Sequence, residues 1–374
     1  MTGATSGGFD FGALRRWPDV EAPNLHAVDA SDRLILDEAA TALAEAGPDG
    51  VVVIGDGYGA LTLGAIALHG VRGIRVFQDS LVGERALAAN AGADADYRSL
   101  PLGAELLAAA RVVLLQLPRS LDELDELAAW IASAADPDVR VYAGGRIKHM
   151  TIAMNEVLGR HFGRVDVSLA RQKSRVLVTS EPRPSAPPRL AREFHADLGI
   201  WVCAGGSTFA GTRIDIGTRA LLAVLDGVAP DATTAADLGC GSGVVAAVLA
   251  QARPRVAVLA SDVSAGAVAS AAATAEANSL TNVTVSRDDA LSEVPDAGLD
   301  LVVLNPPFHL GATVHTGAAS HLFAAAARVL RPGGELVTVF NSHLGYRPEL
   351  TRVVGPTDEL ARTSKFTVTR SRKR

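Results

Sequence analysis

The stretch AADLGCGSGVV, residues 235–245, decides how this chain reads. A short apolar run ends on Asp237 and Leu238, and Gly239, Gly241 and Gly243 follow at alternate positions before a helix-like run begins. Glycine lacks a Cβ, so a turn of this kind accepts left-handed backbone and lets a ligand approach the main chain. Further on, VAVLASD (256–262) is a second apolar run that ends on an acid, Asp262. A third, LDLVVL (299–304), stops at Asn305-Pro306-Pro307-Phe308. Strand-like runs alternating with helical ones predict a mostly parallel sheet, with ligands at the carboxyl ends of its strands.

Compared with itself, the chain repeats this pattern. VVVIGDGYG (51–59) matches the glycine turn, RVVLLQLPR (111–119) falls where DLVVLNPPF (300–308) falls, and VYAGGR (141–146) falls where LVTVFN (336–341) does. Asp79 lies 24 residues after Gly55, and Asp262 lies 23 after Gly239. The fold class is therefore α/β, with two tandem Rossmann-like domains. The first copy is degenerate: Val53 stands for Asp237, and Gln116-Leu117-Pro118-Arg119 stands for Asn305-Pro306-Pro307-Phe308. Four prolines within residues 181–189 cannot run through a helix or central strand. They divide the chain into a flexible tail (1–20), a first unit (21–180), a connector (181–193) and a second unit (194–374). Residues 194–216 alternate in a strand-like way around Gly205-Gly206, which predicts a hairpin leading into the second sheet.

Composition restricts the function classes. The 374 residues are 48% hydrophobic and 20% charged, which suits a soluble globular protein. No apolar run is long enough to span a bilayer, and no basic-then-apolar leader opens the chain, so a cytoplasmic location is expected. Cys203 and Cys240 form no CxxC pair, and the nine histidines are scattered, so no metal is expected. The net charge of −6 is unevenly spread. Ten Lys/Arg face three acids between Arg146 and Arg192, and residues 362–374 hold six basic residues and no acid. Arg146, Lys148, Arg171, Lys173 and Arg175 are accordingly candidates for meeting RNA phosphates, against the plainer reading of a solvated linker and tail.

The second copy carries the chemistry. Its D-x-G-x-G-x-G string lacks the clean spacing of a nicotinamide site. It favours a nucleoside cofactor with no pyrophosphate, such as S-adenosylmethionine, whose charged amino-acid end a carboxylate and backbone groups can meet. Asp237 and the turn glycines would take that end, Asp262 the ribose hydroxyls, and Asp289 either the adenine amino group or a turn. In Asn305-Pro306-Pro307-Phe308, two prolines stop the strand and fix its last carbonyls. The lone pair of an exocyclic amino group is delocalised into its ring. Two acceptors, the Asn305 side-chain oxygen and the Pro306 carbonyl, favour the pyramidal form in which that pair points at a sulfonium methyl, while Phe308 stacks on the base.

These residues resemble a known family. The second half is similar to the class I methyltransferases, and NPPF to the signature of those that act on planar amino groups. More closely, TRIDIG (212–217), DLGCGSG (237–243), NPPFH (305–309), NSHLGY (341–346) and KFTV (365–368) resemble the ribosomal RNA guanine-N2 methyltransferases, and IGDGYGAL (54–61) with RQKSRV (171–176) resembles their decayed first copy. The resemblance implies methylation of N2 of a guanine in 16S or 23S RNA, with S-adenosylmethionine held only by the second copy. Asn305 and Phe308 would hold the base; Asp237, Gly239, Gly241, Asp262 and Asp289 would hold the cofactor. Ribosomal RNA or a ribosomal subunit is the expected partner of a monomer, since the internal duplication already supplies a pair. Two other readings stay open: methylation of another planar amine, DNA adenine or protein glutamine, and a noncatalytic RNA-binding assembly factor.

Overall fold

The computed structural model describes residues 9–306 and 316–374, with backbone alone for 316–318. The chain forms two compact units that divide between Arg189 and Leu190.

The first unit runs α1 (Ala30–Glu45), β1 (Val51–Ile54), α2 (Ala60–His69), β2 (Ile74–Phe77), α3 (Leu81–Asn90), β3 (Tyr97–Ser99), α4 (Ala104–Leu107), β4 (Val112–Gln116), α5 (Leu121–Ala134), β5 (Arg140–Arg146), α6 (Ile152–His161), β6 (Phe162–Val167) and β7 (Ser174–Pro182). The second opens with a hairpin, β8 (Ala191–His195) and β9 (Ile200–Ala204), and continues through α7 (Ile216–Leu222), β10 (Thr234–Leu238), α8 (Val244–Ala252), β11 (Ala257–Asp262), α9 (Ala265–Ala277), β12 (Val283–Arg287), β13 (Leu299–Leu304), α10 (Thr316–Val329), β14 (Leu330–Asn341), α11 (Arg347–Val353), β15 (Thr357–Arg362) and β16 (Phe366–Arg372).

The two seven-stranded sheets share one topology. Their orders are β3-β2-β1-β4-β5-β7-β6 and β12-β11-β10-β13-β14-β16-β15, with the last two strands of each order antiparallel to their neighbours and the others parallel. Every residue of β1 and of β13 is buried, as expected for parallel strands covered on both faces. Successive β13 residues serve opposite cores: Leu301 and Val303 pack with Leu221 and Leu249, whereas Val302 and Leu304 pack with Phe323 and Leu350.

Register corrects one expected correspondence. Val53 pairs with Val76, and Asp237 with Ala260, so the residue facing the turn in the first copy is Gln78, not Asp79. The helix caps agree, since Ser80 precedes α3 as Ser264 precedes α9. The hairpin also turns earlier than expected. Its reversal lies between His195 and Ile200, where Gly199 adopts a φ of 67° and donates to the His195 carbonyl at 2.8 Å. Gly205-Gly206 follow β9 instead, and the Gly205 N–H bonds Ser270 Oγ on α9 at 3.1 Å.

Part of the stretch expected to be a flexible tail is packed. Phe9, Phe11 and Leu14 rest on the first core, so order begins before residue 21. β7 runs through Pro182 and β8 starts at Ala191, which leaves 183–190 between strands. The basic carboxyl-terminal run is β16, where Arg372 pairs with Glu335 at 2.8 Å and Arg370 with Asp358 at 3.5 Å. No helix among the described residues is long and apolar enough to cross a membrane.

Candidate active site

The connections that leave the carboxyl edge of the second sheet include the glycine turn after β10, the residues after β11 and β12, and Asn305-Pro306 after β13. Gly239, Gly241 and Gly243 all take left-handed φ, at 72°, 52° and 77°. A Cβ built on Gly239 or Gly241 would meet no heavy atom within 4 Å, so this backbone faces open space, as a ligand lying on it requires. Gly243 differs, because its Cβ would sit 2.9 Å from the Cα and Cβ of Ala271 on α9. It is glycine for close packing of two helices.

Asp237 is buried at 3% exposure, and its Oδ2 accepts the Ala246 N–H of the first turn of α8 at 3.0 Å. Burial raises its pKa to about 7, against the lowering effect of that hydrogen bond, and the nearby Asp262 charge adds to the rise. A group of this kind readily matches a cationic ligand end. Asp262 closes β11, and its two oxygens accept the N–H groups of Gly241 and Ser264, each at 3.0 Å. Asp289 lies two residues beyond β12. His321 of α10 stands 3.5 Å away, and its hydrogen bond to Asp289 holds the imidazole pKa above the usual value. The neighbouring Asp288 is buried and turned into its own loop, accepting Ser292 Oγ and the Glu293 N–H. Ala290 and Leu291 then both adopt left-handed φ, 53° and 58°, an arrangement that non-glycine residues keep only where their surroundings impose it.

Asn305 is held at one end only. Its Nδ2 donates to Thr218 Oγ1 at 3.0 Å, and Thr218 stands in the first turn of α7 behind the Asp215 cap. Its buried Oδ1 has no hydrogen-bond partner among the described residues. A buried acceptor left unpaired costs about 1–3 kcal/mol, so among the described residues this oxygen is one that a ligand N–H could satisfy. Pro306 is buried beside it. Phe308, expected to stack on a base, lies outside the described residues.

In the first unit Arg146, Lys148 and Lys173 come together, since the Ile147 N–H bonds the Lys173 carbonyl at 2.9 Å. The second unit repeats that bond between Ser342 and Lys365 at 2.9 Å. Arg171 is instead engaged by acids of α1, Asp37 at 3.1 Å and Glu38 at 3.7 Å, which the residue order did not reveal. Arg175 lies on β7 opposite Gly145 of β5, and is partly buried. Sequence reasoning missed Thr218 and His321. Thr218 directly follows the TRIDIG string, and its counterpart in the first copy, Asp32, is also polar; nothing marked His321. Among the described residues, no group of three His, Cys, Asp or Glu could hold a metal ion.

A sheet of this order, with a glycine turn after its first central strand and acids at the ends of the next two, defines the Rossmann-like methyltransferases that use S-adenosylmethionine. The family models agree, one described as the methyltransferase small domain over residues 199–370 and another as the RLMG N-terminal domain over 5–184. Curated relatives called ribosomal RNA large subunit methyltransferase G are 35% identical in Streptomyces avermitilis (97% of this chain and 97% of that protein) and 33% identical in Shewanella amazonensis (95% and 94%). The chain belongs to the ribosomal RNA large subunit methyltransferase G family. Among solved structures, the T. thermophilus 16S rRNA N2 G1207 methyltransferase, determined with AdoMet and guanosine, matches at a TM-score of 0.72 and 23% identity, covering 95% of this chain and 97% of its own. That match extends the fold likeness over both units.

Proposed function

We propose that the protein methylates the N2 amino group of a guanine in large-subunit ribosomal RNA. The Asn305 Oδ1, unpaired among the described residues, carries this reading, because a fixed acceptor beside the glycine turn is what an exocyclic NH2 needs. S-adenosylmethionine, when bound, supplies the electrophilic methyl group. Gly239, Gly241 and Gly243 line its turn, Asp237 faces its cationic amino-acid end, Asp262 its ribose and Asp289 its adenine. Asn305 Oδ1 and the Pro306 carbonyl accept the two N–H groups of the base, which orients the nitrogen lone pair toward the methyl. Thr218 fixes the amide so that oxygen, and not nitrogen, faces the base. Phe308 is assigned from its sequence position to stack on the purine and exclude water. A base in folded RNA must be unstacked, or already unpaired, to enter such a site. Arg146, Lys148 and Lys173 of the first unit are assigned to phosphate contacts, with Arg175 beside them and Arg171 held back by its acidic partners.

The test incubates the enzyme and radiolabelled cofactor separately with ribosomal subunits, protein-free ribosomal RNA, genomic DNA and release factor. Label recovered as N2-methylguanosine from large-subunit RNA is expected. Label confined to DNA or protein, or found on small-subunit RNA alone, refutes the assignment.

A further inference from the structure

The first unit keeps a cleft of about 290 Å³ at the place where the second unit builds its active site. It opens at the carboxyl ends of β1, β4 and β5, and Leu117, Arg119, Arg146, His149, Met150 and Tyr58 are among its walls. Strand register gives each wall residue a counterpart. Gln116 stands for Asn305, Arg119 for Phe308, Arg146 for Asn341 and Lys148, beside the cleft, for His343. An aromatic ring and an amide have thus become two guanidinium groups, and a lysine has joined them. The cations crowd His149: desolvation, then Arg119, Lys148 and Arg146, lower its pKa and keep the ring neutral, a donor that adds no charge of its own.

The parts that would serve a methyl donor have been closed. Asp56, within the glycine turn, uses both oxygens on the Leu61 and Thr62 N–H groups of α2, each at 2.8 Å. Gln78 replaces the ribose-facing acid and, with its carbonyl toward the turn, accepts from Asp56 and Gly57 at 3.2 and 2.9 Å. Gln116 donates its amide to Asp32, and its oxygen accepts from Ser31 Oγ at 3.4 Å, so the acceptor that stays unpaired on Asn305 among the described residues is engaged here. Of the acids in the cleft, Asp32 is buried and accepts the Asp29 N–H at 2.6 Å, while Asp29 caps α1 through Ser31 at 2.8 Å with one oxygen and meets Arg146 at 3.4 Å with the other, a pairing that a phosphate at Arg146 would have to compete with. What remains is a basic rim over a partly apolar floor, at the small end of the roughly 300–1,000 Å³ usual for ligand clefts.

We propose that this cleft binds one unpaired nucleotide of the RNA substrate, its phosphate between Arg119 and Arg146 and its base against Leu117 and Met150. The proposal rests on the RNA methyltransferase reading only in taking RNA as the ligand; it requires no methyl transfer. Guanidinium pairs favour phosphate bidentately, and a base laid on an apolar wall is gripped without regard to sequence. The first unit would then hold a strand by a point distinct from the nucleotide being modified.

Fluorescence anisotropy of the full chain with a short single-stranded RNA oligonucleotide tests this. Arg119→Gln with Arg146→Gln should weaken binding at least about tenfold and flatten its salt slope by roughly 0.7, the value for one single-strand phosphate contact. Leu117→Trp fills the cleft without changing charge and should weaken binding by about fivefold or more, the loss of one stacked base. S-adenosylmethionine affinity, read by calorimetry, and the melting temperature verify that each variant is folded. RNA affinity unchanged by Leu117→Trp overturns the nucleotide pocket, whatever the arginine variants do. Should a variant misfold, crosslinking of 4-thiouridine RNA to the wild type decides: adducts are expected on residues 145–154 or Leu117, and their absence there overturns the proposal. RNA that binds as described without becoming methylated would sink the methyl-transfer reading and leave this one standing.

Discussion

The two glycine turns place their buried carboxylates at different points of the same loop. In the second sheet the acid is Asp237, on the strand before the turn, and it gives one hydrogen bond's worth of acceptance to the helix that follows, at Ala246. In the first sheet the acid is Asp56, inside the turn, and both its oxygens are committed to Leu61 and Thr62. The amide at the end of the next central strand changes in the same sense. Gln116 is answered by Asp32 from within the chain, whereas the oxygen of Asn305 is answered by nothing among the described residues. At this amide the first copy is satisfied internally. The second leaves the Asn305 oxygen unpaired among the described residues, which is a cost a folded chain carries where a ligand will repay it.

That contrast is broken most directly at the amides. Asn305→Ala should lower kcat for methyl transfer by about 10²-fold or more, the usual consequence of removing one preorganised polar group from a transition state. S-adenosylmethionine affinity should stay within about twofold and stability should fall by no more than the roughly 0.5–1.5 kcal/mol of the one bond to Thr218, because the oxygen removed has no partner among the described residues. Methyl transfer that persists in Asn305→Ala would falsify the role given to this amide. Next in size is Gly243→Ala. A left-handed alanine costs about 1–2 kcal/mol, and a clash with the main chain of α9 adds about 1–3 kcal/mol. Gly59 is its counterpart, but there the added Cβ meets the end of the Leu87 side chain, which can move. Thermal melts should therefore order the variants with Gly243→Ala lower than Gly59→Ala, and a reversed order would mean that the two turns are packed otherwise.

Much of this was readable from residue order. The alternation of buried strands and helices, the duplication, and the gathering of Asp237, Asp262, Asp289 and Asn305 on one sheet edge all follow from periodicity and from where glycines and prolines interrupt it. Three of the features that did not follow show why. Gln78 was hidden behind the neighbouring Asp79, since a one-residue difference in register is invisible until strands pair. Thr218 approaches Asn305 only through folding, from 87 residues away. Arg171 read as a free cation because its partners, Asp37 and Glu38, lie on a helix more than a hundred residues earlier. Local pattern gives the scaffold and the ends of strands; which polar groups satisfy one another is a property of the packed chain.

Gln116→Ala sharpens the comparison from the other side. Asp32 is buried, its pKa raised to about 7 chiefly by desolvation, and it would lose the amide that helps satisfy it. A loss of about 1–3 kcal/mol in stability is expected, the penalty of a buried acceptor whose donor is removed. Chemical denaturation should detect it as a lower midpoint at unchanged slope. If Gln116→Ala and Asn305→Ala had the same effect on stability, the claim that one amide is internally satisfied and the other is not would have no basis.

The smallest effect concerns the proton on Asp237. Its pKa in the folded protein, about 7, lies above the 3.8 of a free aspartate, so the folded state holds a proton through that interval that the unfolded chain has given up. Its contribution to stability is therefore greatest near pH 4 and is lost as pH rises through about 7. In the absence of cofactor, the wild type should lose ground to Asp237→Asn over that range. Cofactor binding should run the opposite way. A cationic amino group beside Asp237 favours the carboxylate, so binding below pH 7 expels a proton, and affinity should climb by up to about tenfold per pH unit from pH 5 before levelling above 7. In Asp237→Asn the climb should disappear. Calorimetry at several pH values in buffers of different ionisation enthalpy measures both affinity and proton release. A wild-type profile as flat as that of the variant would reduce Asp237 to a cap for α8, leaving the two turns alike in function and different only in which residue closes the helix.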